Sequence, residues 1–205
     1  MSVALICVDL QNDFYEDGAL PVPGASKINP PINKMLEKDD FKTIVASQDW
    51  HPKKHASFAS NHNKEPFTPY KGDLEGLGEL LWPDHCIQGT EGADFHQDID
   101  TDNFDLIIRK GQDPEVDSYS AFRDNDGTDL GLAAYLKDLD IKKIVLVGLA
   151  LDVCVFYTAL DGIKAGFNVE LILEASKGVN AEENDVENAI AKMKEEAVKV
   201  KERYI

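Results

Sequence analysis

The stretch from Lys143 to Leu160, KIVLVGLALDVCVFYTAL, restricts the fold more than any other part of the chain. Its apolar run, Ile144 to Val147, is closed by Gly148 and is too short for a helix. It reads as a strand buried on both faces, as in a parallel sheet. After a short link, Phe156, Ala159, Leu160 and Ile163 recur at helical spacing. Strand, tight turn and helix make half of a βαβ unit. Cys154 falls where the helix begins. Unpaired backbone N–H groups and the positive end of the helix dipole there favour a thiolate.

The same alternation runs through the rest of the chain. Val3 to Val8, Phe41 to Ser47, Phe104 to Arg109 and Phe167 to Leu173 read as four further strands. Ile28, Ile32, Met35 and Leu36 mark a helix whose Pro30 and Pro31 are tolerated only in its first turn. Leu130 to Leu139 and Glu182 to Met193 read as two more helices. The tail from Val198 to Val200 fits either a sixth edge strand or a continuation of the last helix. This pattern implies a single domain over residues 1–205. Its fold class is a three-layer α/β/α arrangement, Rossmann-like, with a mainly parallel sheet of about six strands. Periodicity dissolves between about residues 50 and 103, a segment rich in proline and glycine that holds all five histidines. A loop-rich insertion of that length is expected in a compact domain only where it builds a functional site.

Charge narrows the partners. With 21 Lys and Arg against 38 Asp and Glu, the formal net charge is −17. Nucleic acid and anionic membrane both require basic surface and are excluded as partners. A small-molecule substrate remains, and a homo-oligomer is compatible with the composition. Cys7, Cys86 and Cys154 are too few and too scattered for a disulfide framework, which points to a reducing, cytoplasmic location, or also a nuclear one in a eukaryote. The Val3–Val8 run stops at Asp9 without a basic leader, so it reads as a strand and not a signal peptide. No run is long enough to span a bilayer.

Ligands of open parallel sheets bind beyond the carboxyl ends of the strands. Asp9, Asp49, Lys110 and Cys154 all sit at such ends. Taken singly, Asp9 reads as a turn cap or as a desolvated base, and Lys110 as a solvated terminus or as a group holding a carboxylate ionised. Asp49 and His51 are two apart, so an extended segment points both to one face. With His85 they form a two-histidine, one-carboxylate set suited to a metal with open positions, or else a turn and a surface histidine. His55, His62 and His96 read as solvated loop residues, and Cys7 as core. Phe14, Trp82 and Tyr119 read as apolar packing.

Six motifs change the balance: VDLQNDF at Val8 to Phe14, QDWHP at Gln48 to Pro52, WPDHCIQGT at Trp82 to Thr90, RKG at Arg109 to Gly111, YSAF at Tyr119 to Phe122 and GLALDVCV at Gly148 to Val155. In this order they resemble the nicotinamidase/pyrazinamidase family of isochorismatase-like cysteine hydrolases. The resemblance implies deamidation of nicotinamide to nicotinate and ammonia, with pyrazinamide as an alternative substrate, in pyridine-nucleotide salvage. It implies Cys154 as nucleophile, Asp9 as base and Lys110 as third member of the triad. It further implies an oxyanion hole from the Ala150 and Cys154 amides, with a cis peptide before Leu151. Asp49, His51 and His85 would hold one divalent metal ion, zinc first, with manganese and iron also suited to that set. Phe14, Trp82 and Tyr119 would flank the pyridine ring.

Two positions depart from the family pattern. Residue 151 is Leu where Thr is common, and Ser57 stands where some members carry a further histidine ligand, so three protein ligands are expected. The alternative reading is a related cysteine amidohydrolase acting on a carbamoyl or ureido substrate, which would share the triad without needing the metal set.

Overall fold

In the computed structural model, which describes residues 2–204, six parallel strands form one sheet. They are β1 (Val3–Val8), β2 (Thr43–Asp49), β3 (Leu106–Lys110), β4 (Lys143–Gly148), β5 (Asn168–Ser176) and β6 (Lys199–Lys201). Their spatial order is β3-β2-β1-β4-β5-β6. The order reverses between β1 and β4, and such a switch point opens a crevice at the carboxyl ends of the two strands. Asp9 and Cys154 follow those two strands.

Alternation along β1 shows how the layers are built. Val3, Leu5 and Cys7 pack against the face that carries α1 (Asn29–Leu36), through Ile28, Ile32, Met35 and Leu36. Ala4, Ile6 and Val8 join the opposite core with α2 (Leu132–Asp138), α3 (Phe156–Lys164) and α4 (Asp185–Glu195). β1 is fully buried along its length. That accounts for its unbroken apolar run, since each such side chain contributes roughly 1.5–3 kcal/mol on burial. The prolines of α1 are its second and third residues, within the first turn, where a missing N–H leaves no helical bond unmade. In α4, Asp185 and Glu187 lie in the first turn and Lys192 and Lys194 in the last, complementing the helix dipole.

The ambiguous tail is a strand, with Glu170, Leu171 and Ile172 of β5 paired to Lys199, Val200 and Lys201 of β6. The last helix begins at Asp185, three residues later than its apolar pattern suggests. Residues 50–103 contain short 3-10 turns and isolated bridges instead of regular elements, and they wrap the carboxyl ends of β1 and β2. No helix is long and apolar enough to cross a membrane among the described residues. All three cysteines are free and buried.

Candidate active site

Sheet register places the charged groups. Asp49 and Lys110 are paired positions of β2 and β3. The Lys110 ammonium lies 2.6 Å from Asp49 Oδ1 and 2.9 Å from Asp9 Oδ2. It also donates to the Ser118 carbonyl at 2.8 Å and reaches Cys154 Sγ at 3.5 Å. Lys110 and Asp9 are fully buried, so this cation is held entirely by its partners. Ser47 donates to Asp9 Oδ1 at 2.6 Å and fixes the carboxylate from the other side. Asp9 adopts a positive φ of 47°, a strained conformation for a non-glycine residue of the kind that concentrates at functional sites. Oxygens of Asp9 and Asp49 and the Cys154 sulfur lie within 4.8 Å of one another.

The electrostatics follow from burial. Loss of solvent pushes the Cys154 thiol well up; Lys110 opposes this while Asp9 and Asp49 add to it. The helix start on its own favours a thiolate, whereas burial in the resting site favours the neutral thiol. Cys154 lies within a π-helical turn, Leu151–Val155, that precedes α3. Burial also raises the Asp9 carboxyl, with Lys110 opposing and Asp49 adding, which makes it a stronger base than a free aspartate. Burial would lower Lys110, but the Asp49 and Asp9 carboxylates overcome it and hold the ammonium well above its ordinary value.

Asp49, His51 and His85 converge as the sequence predicts. Asp49 Oδ2 lies 3.7 Å from His51 Nε2 and 3.9 Å from His85 Nε2. His51 Nδ1 faces the Gly111 carbonyl at 3.0 Å and His85 Nδ1 faces the Pro83 carbonyl at 2.8 Å. Each Nδ1–H therefore donates to a carbonyl, leaving both Nε2 lone pairs aimed at the common centre with Asp49 Oδ2. This donor set fits a divalent ion. Burial followed by repulsion from His51 lowers His85 to about 3, which keeps it in the neutral form a metal needs. Burial raises Asp49, and the Lys110 ammonium and His51 reverse the effect, holding its carboxyl far below the usual range.

Gly111 follows Lys110 with φ of 66°, and a Cβ there would overlap the His51 imidazole. That contact explains the glycine of RKG. The three polar residues of LQND also have structural work. Gln11 donates to the Asp49 carbonyl at 2.7 Å and accepts from the Asp49 amide at 2.7 Å. Asn12 donates to the Glu91 carbonyl. Asp13 accepts from the Cys86 amide at 2.7 Å, steadying the residue after His85.

One cavity joins these groups. Cys154 and Ala150 line one part, and Asp49, His51 and His85 another. Phe14, Leu20, Trp82, Tyr119, Val153 and Val179 supply apolar walls. Asp9 and Lys110 lie beneath the floor. Phe14, Trp82 and Tyr119 thus line a cavity and are not merely packing. Leu20, Asp117, Val153 and Val179 carried no signal in the sequence, because each reaches the cavity only through tertiary folding.

Three expectations change. His55 is not a solvated loop residue but fully buried, accepting from Ser57 at Nδ1 (2.7 Å) and facing the Val116 carbonyl at Nε2 (3.1 Å). His96 is not free in solvent either, since its ring stacks on Tyr15 at 3.9 Å. The cis peptide is Leu149–Ala150, one bond earlier than expected. Leu151 itself enters the helical turn, donating to Lys177, while the Ala150 carbonyl accepts from Val153 and Val155. The Leu151 side chain belongs to the core shared with α2–α4 and does not line the cavity, so the departure from Thr leaves the cavity wall untouched.

A thiol, a carboxylate and a lysine at the switch point of a parallel sheet define an α/β cysteine hydrolase. The sequence agrees: residues 3–202 match the isochorismatase domain model, and the chain belongs to that family. It is similar to a nicotinamidase of Acinetobacter baylyi, 48% identical over 86% of this chain and 82% of that protein. It is also similar to the structure of an Acinetobacter baumannii nicotinamidase/pyrazinamidase, with a TM-score of 0.91 at 43% identity, covering 97% of this chain and 95% of that one. A Pyrococcus horikoshii pyrazinamidase, solved in complex with zinc, matches over 100% of both chains with a TM-score of 0.80 at 37% identity.

Proposed function

We propose that this chain is a nicotinamidase, hydrolysing nicotinamide to nicotinate and ammonia through a thioester on Cys154. Pyrazinamide fits as an alternative substrate. The observation that carries the reading is the one cavity in which apolar walls join a buried thiol to a two-histidine, one-aspartate set. A flat heteroaromatic ring fills such a space with its carboxamide at the sulfur and its ring nitrogen toward Asp49, His51 and His85. The relatives named as nicotinamidases support the same substrate. A carbamoyl or ureido substrate would leave both the aromatic walls and the metal ligands without purpose.

Asp9 takes the proton from Cys154 Sγ as the sulfur attacks the carboxamide carbon. The Ala150 and Cys154 amides receive the developing oxyanion. The amides of Leu149 and Leu151 are already committed to Val8 and Lys177, whereas none of the described backbone carbonyls accepts from Ala150 N–H. Each such donor contributes about 3–4 kcal/mol in acyl transfer. The C–N bond breaks as Asp9 returns its proton to the departing nitrogen. Water then loses a proton to Asp9 and attacks the thioester, and the thiol is regenerated with the acid product. Lys110 keeps Asp9 competent to accept a proton by balancing its charge. A divalent ion held by Asp49, His51 and His85, with zinc suited to the donor set, would supply a fixed Lewis acid that orients the ring nitrogen.

The test is ammonia release from nicotinamide by the wild-type protein, its Cys154→Ala variant and the chelated protein. The reading requires turnover by wild type, a loss of at least about a thousandfold in Cys154→Ala, and recovery of chelated protein on adding zinc. Near wild-type turnover by Cys154→Ala would discard it.

A further inference from the structure

A buried aspartate beside the cavity has no part in the chemistry above. Asp117 is 2% exposed and borders the space meant for the ring. Its Oδ2 accepts the Gly78 amide at 2.7 Å and the Tyr119 hydroxyl at 3.1 Å. The Tyr119 oxygen in turn lies 3.2 Å from the Trp82 indole nitrogen. The direction of this chain is fixed, because an indole N–H can only donate and an ionised carboxylate can only accept. The Tyr119 oxygen must take the indole hydrogen, and its own proton goes to Asp117.

The backbone repeats the attachment. Asp117 N–H donates to the Gly76 carbonyl at 3.0 Å, and the Asp117 carbonyl accepts from Asn125 N–H at 2.8 Å. Gly76 and Gly78 are bare where residues 116–119 press on them. A Cβ at Gly78 would overlap the Tyr119 hydroxyl, and one at Gly76 would sit 3.0 Å from a Val116 methyl. Segment 76–78 thus lies flat against 116–119, with the Asp117 carboxylate between them.

We propose that Asp117 is a positioning residue that locks Trp82 and Tyr119, together with segment 76–82, around the substrate ring. Ring recognition then depends on it and the bond-making steps do not. With the indole N–H and the phenol proton both engaged, these two walls offer a ring only apolar surface. The proposal rests on the nicotinamidase reading for the identity of the ring, but not for the existence of the lock.

The experiment compares Asp117→Ala, Asp117→Asn, Tyr119→Phe and the Asp117→Ala/Tyr119→Phe double variant in metal-loaded protein. Steady-state ammonia release gives kcat and KM, and hydrogen exchange follows the Gly78 amide and the Trp82 indole N–H. Asp117→Ala should raise KM for nicotinamide about tenfold, with kcat within about threefold of wild type. Asp117→Asn keeps an oxygen for both donors and should bring KM back to within about threefold of wild type. The double variant should be no worse than Asp117→Ala alone, because both remove the same link. Exchange at Gly78 and at Trp82 should accelerate in Asp117→Ala.

An unchanged KM in Asp117→Ala, a loss confined to kcat, an asparagine as defective as alanine, or additive single effects would each overturn the proposal. If Asp117→Ala does not fold, Tyr119→Phe carries the test, and unaltered KM and Trp82 exchange in it count against the lock. If wild-type protein releases no ammonia from nicotinamide, the substrate reading fails. Exchange at Gly78 and Trp82 then still decides the lock, and wild-type protection in Asp117→Ala refutes it.

Discussion

Lys110→Met exchanges a buried ammonium for a thioether and leaves Asp9 and Asp49 without the cation 2.9 and 2.6 Å from them. Removing one partner of a buried pair costs about 3–5 kcal/mol. Here two carboxylates share the cation, but a bound divalent ion compensates Asp49. We therefore expect about 4 kcal/mol lost in urea unfolding of metal-loaded protein, against a stability of roughly 5–15 kcal/mol for a domain, so the variant stays folded. The pH dependence follows from Asp9, whose folded carboxyl is already raised by burial and loses the opposing effect of Lys110 in the variant. A carboxyl raised on folding favours the protonated state. The variant should therefore be closest to wild type at the acid end and fall away as pH climbs through the raised value. A protonated Asp9 cannot take the thiol proton, and general-base assistance is worth about 10²–10⁴ in rate. Accordingly kcat/KM at pH 7 should drop about a thousandfold, with the acid limb of its pH profile moved alkaline by at least about one unit. An acid limb coincident with wild type, or a stability gap that does not widen with pH, would refute this account of Lys110.

Gly111→Ala should weaken metal binding, because the new methyl group meets the His51 ring and the backbone sits at φ of 66°. Competition with a chromogenic chelator should show at least about tenfold lower affinity, with Cys154 still alkylated on denaturation as in wild type. His55 gives an acid-stability test. Burial, then repulsion from His51, lowers it to about 4 from an ordinary 6.5, so the unfolded chain binds its proton first. Stability from this group is complete above the unfolded value and is lost as pH falls from about 6.5 to about 4, on the order of 3 kcal/mol. His55→Gln should flatten that part of the unfolding-versus-pH curve for metal-free protein, and an unchanged slope would contradict the assignment.

The fold was legible where burial is two-sided. Unbroken runs such as Leu5 to Val8 and Ile144 to Val147 have no alternative partner for their apolar faces, and both are interior strands. That Asp9, Lys110 and Cys154 would meet, and that Asp49, His51 and His85 would meet, was legible because each lies at a strand end or in one of the six motifs. The contacts that hold them were not. Ser47 meets Asp9 across 38 positions, and His55 meets Val116 across 61, separations that no local pattern encodes. His55 stands among lysines and serine in KKHAS and gives no sign of burial in its own surroundings. The dipole argument for Cys154 failed for a related reason. It considered the helix alone, whereas burial first, and then two carboxylates delivered by β1 and β2, push the resting thiol up.

The division between floor and walls has an evolutionary consequence. Asp9, Lys110 and Cys154 are rooted at the ends of β1, β3 and β4, where a shift of any strand would disturb the whole sheet. The aromatic walls and His85 come from segments outside the strands. Changes at wall residues such as Trp82 and Tyr119 can therefore retune what enters while Asp9, Lys110 and Cys154 stay in place. Descendants of such a chain would diversify in diet before they diversify in chemistry.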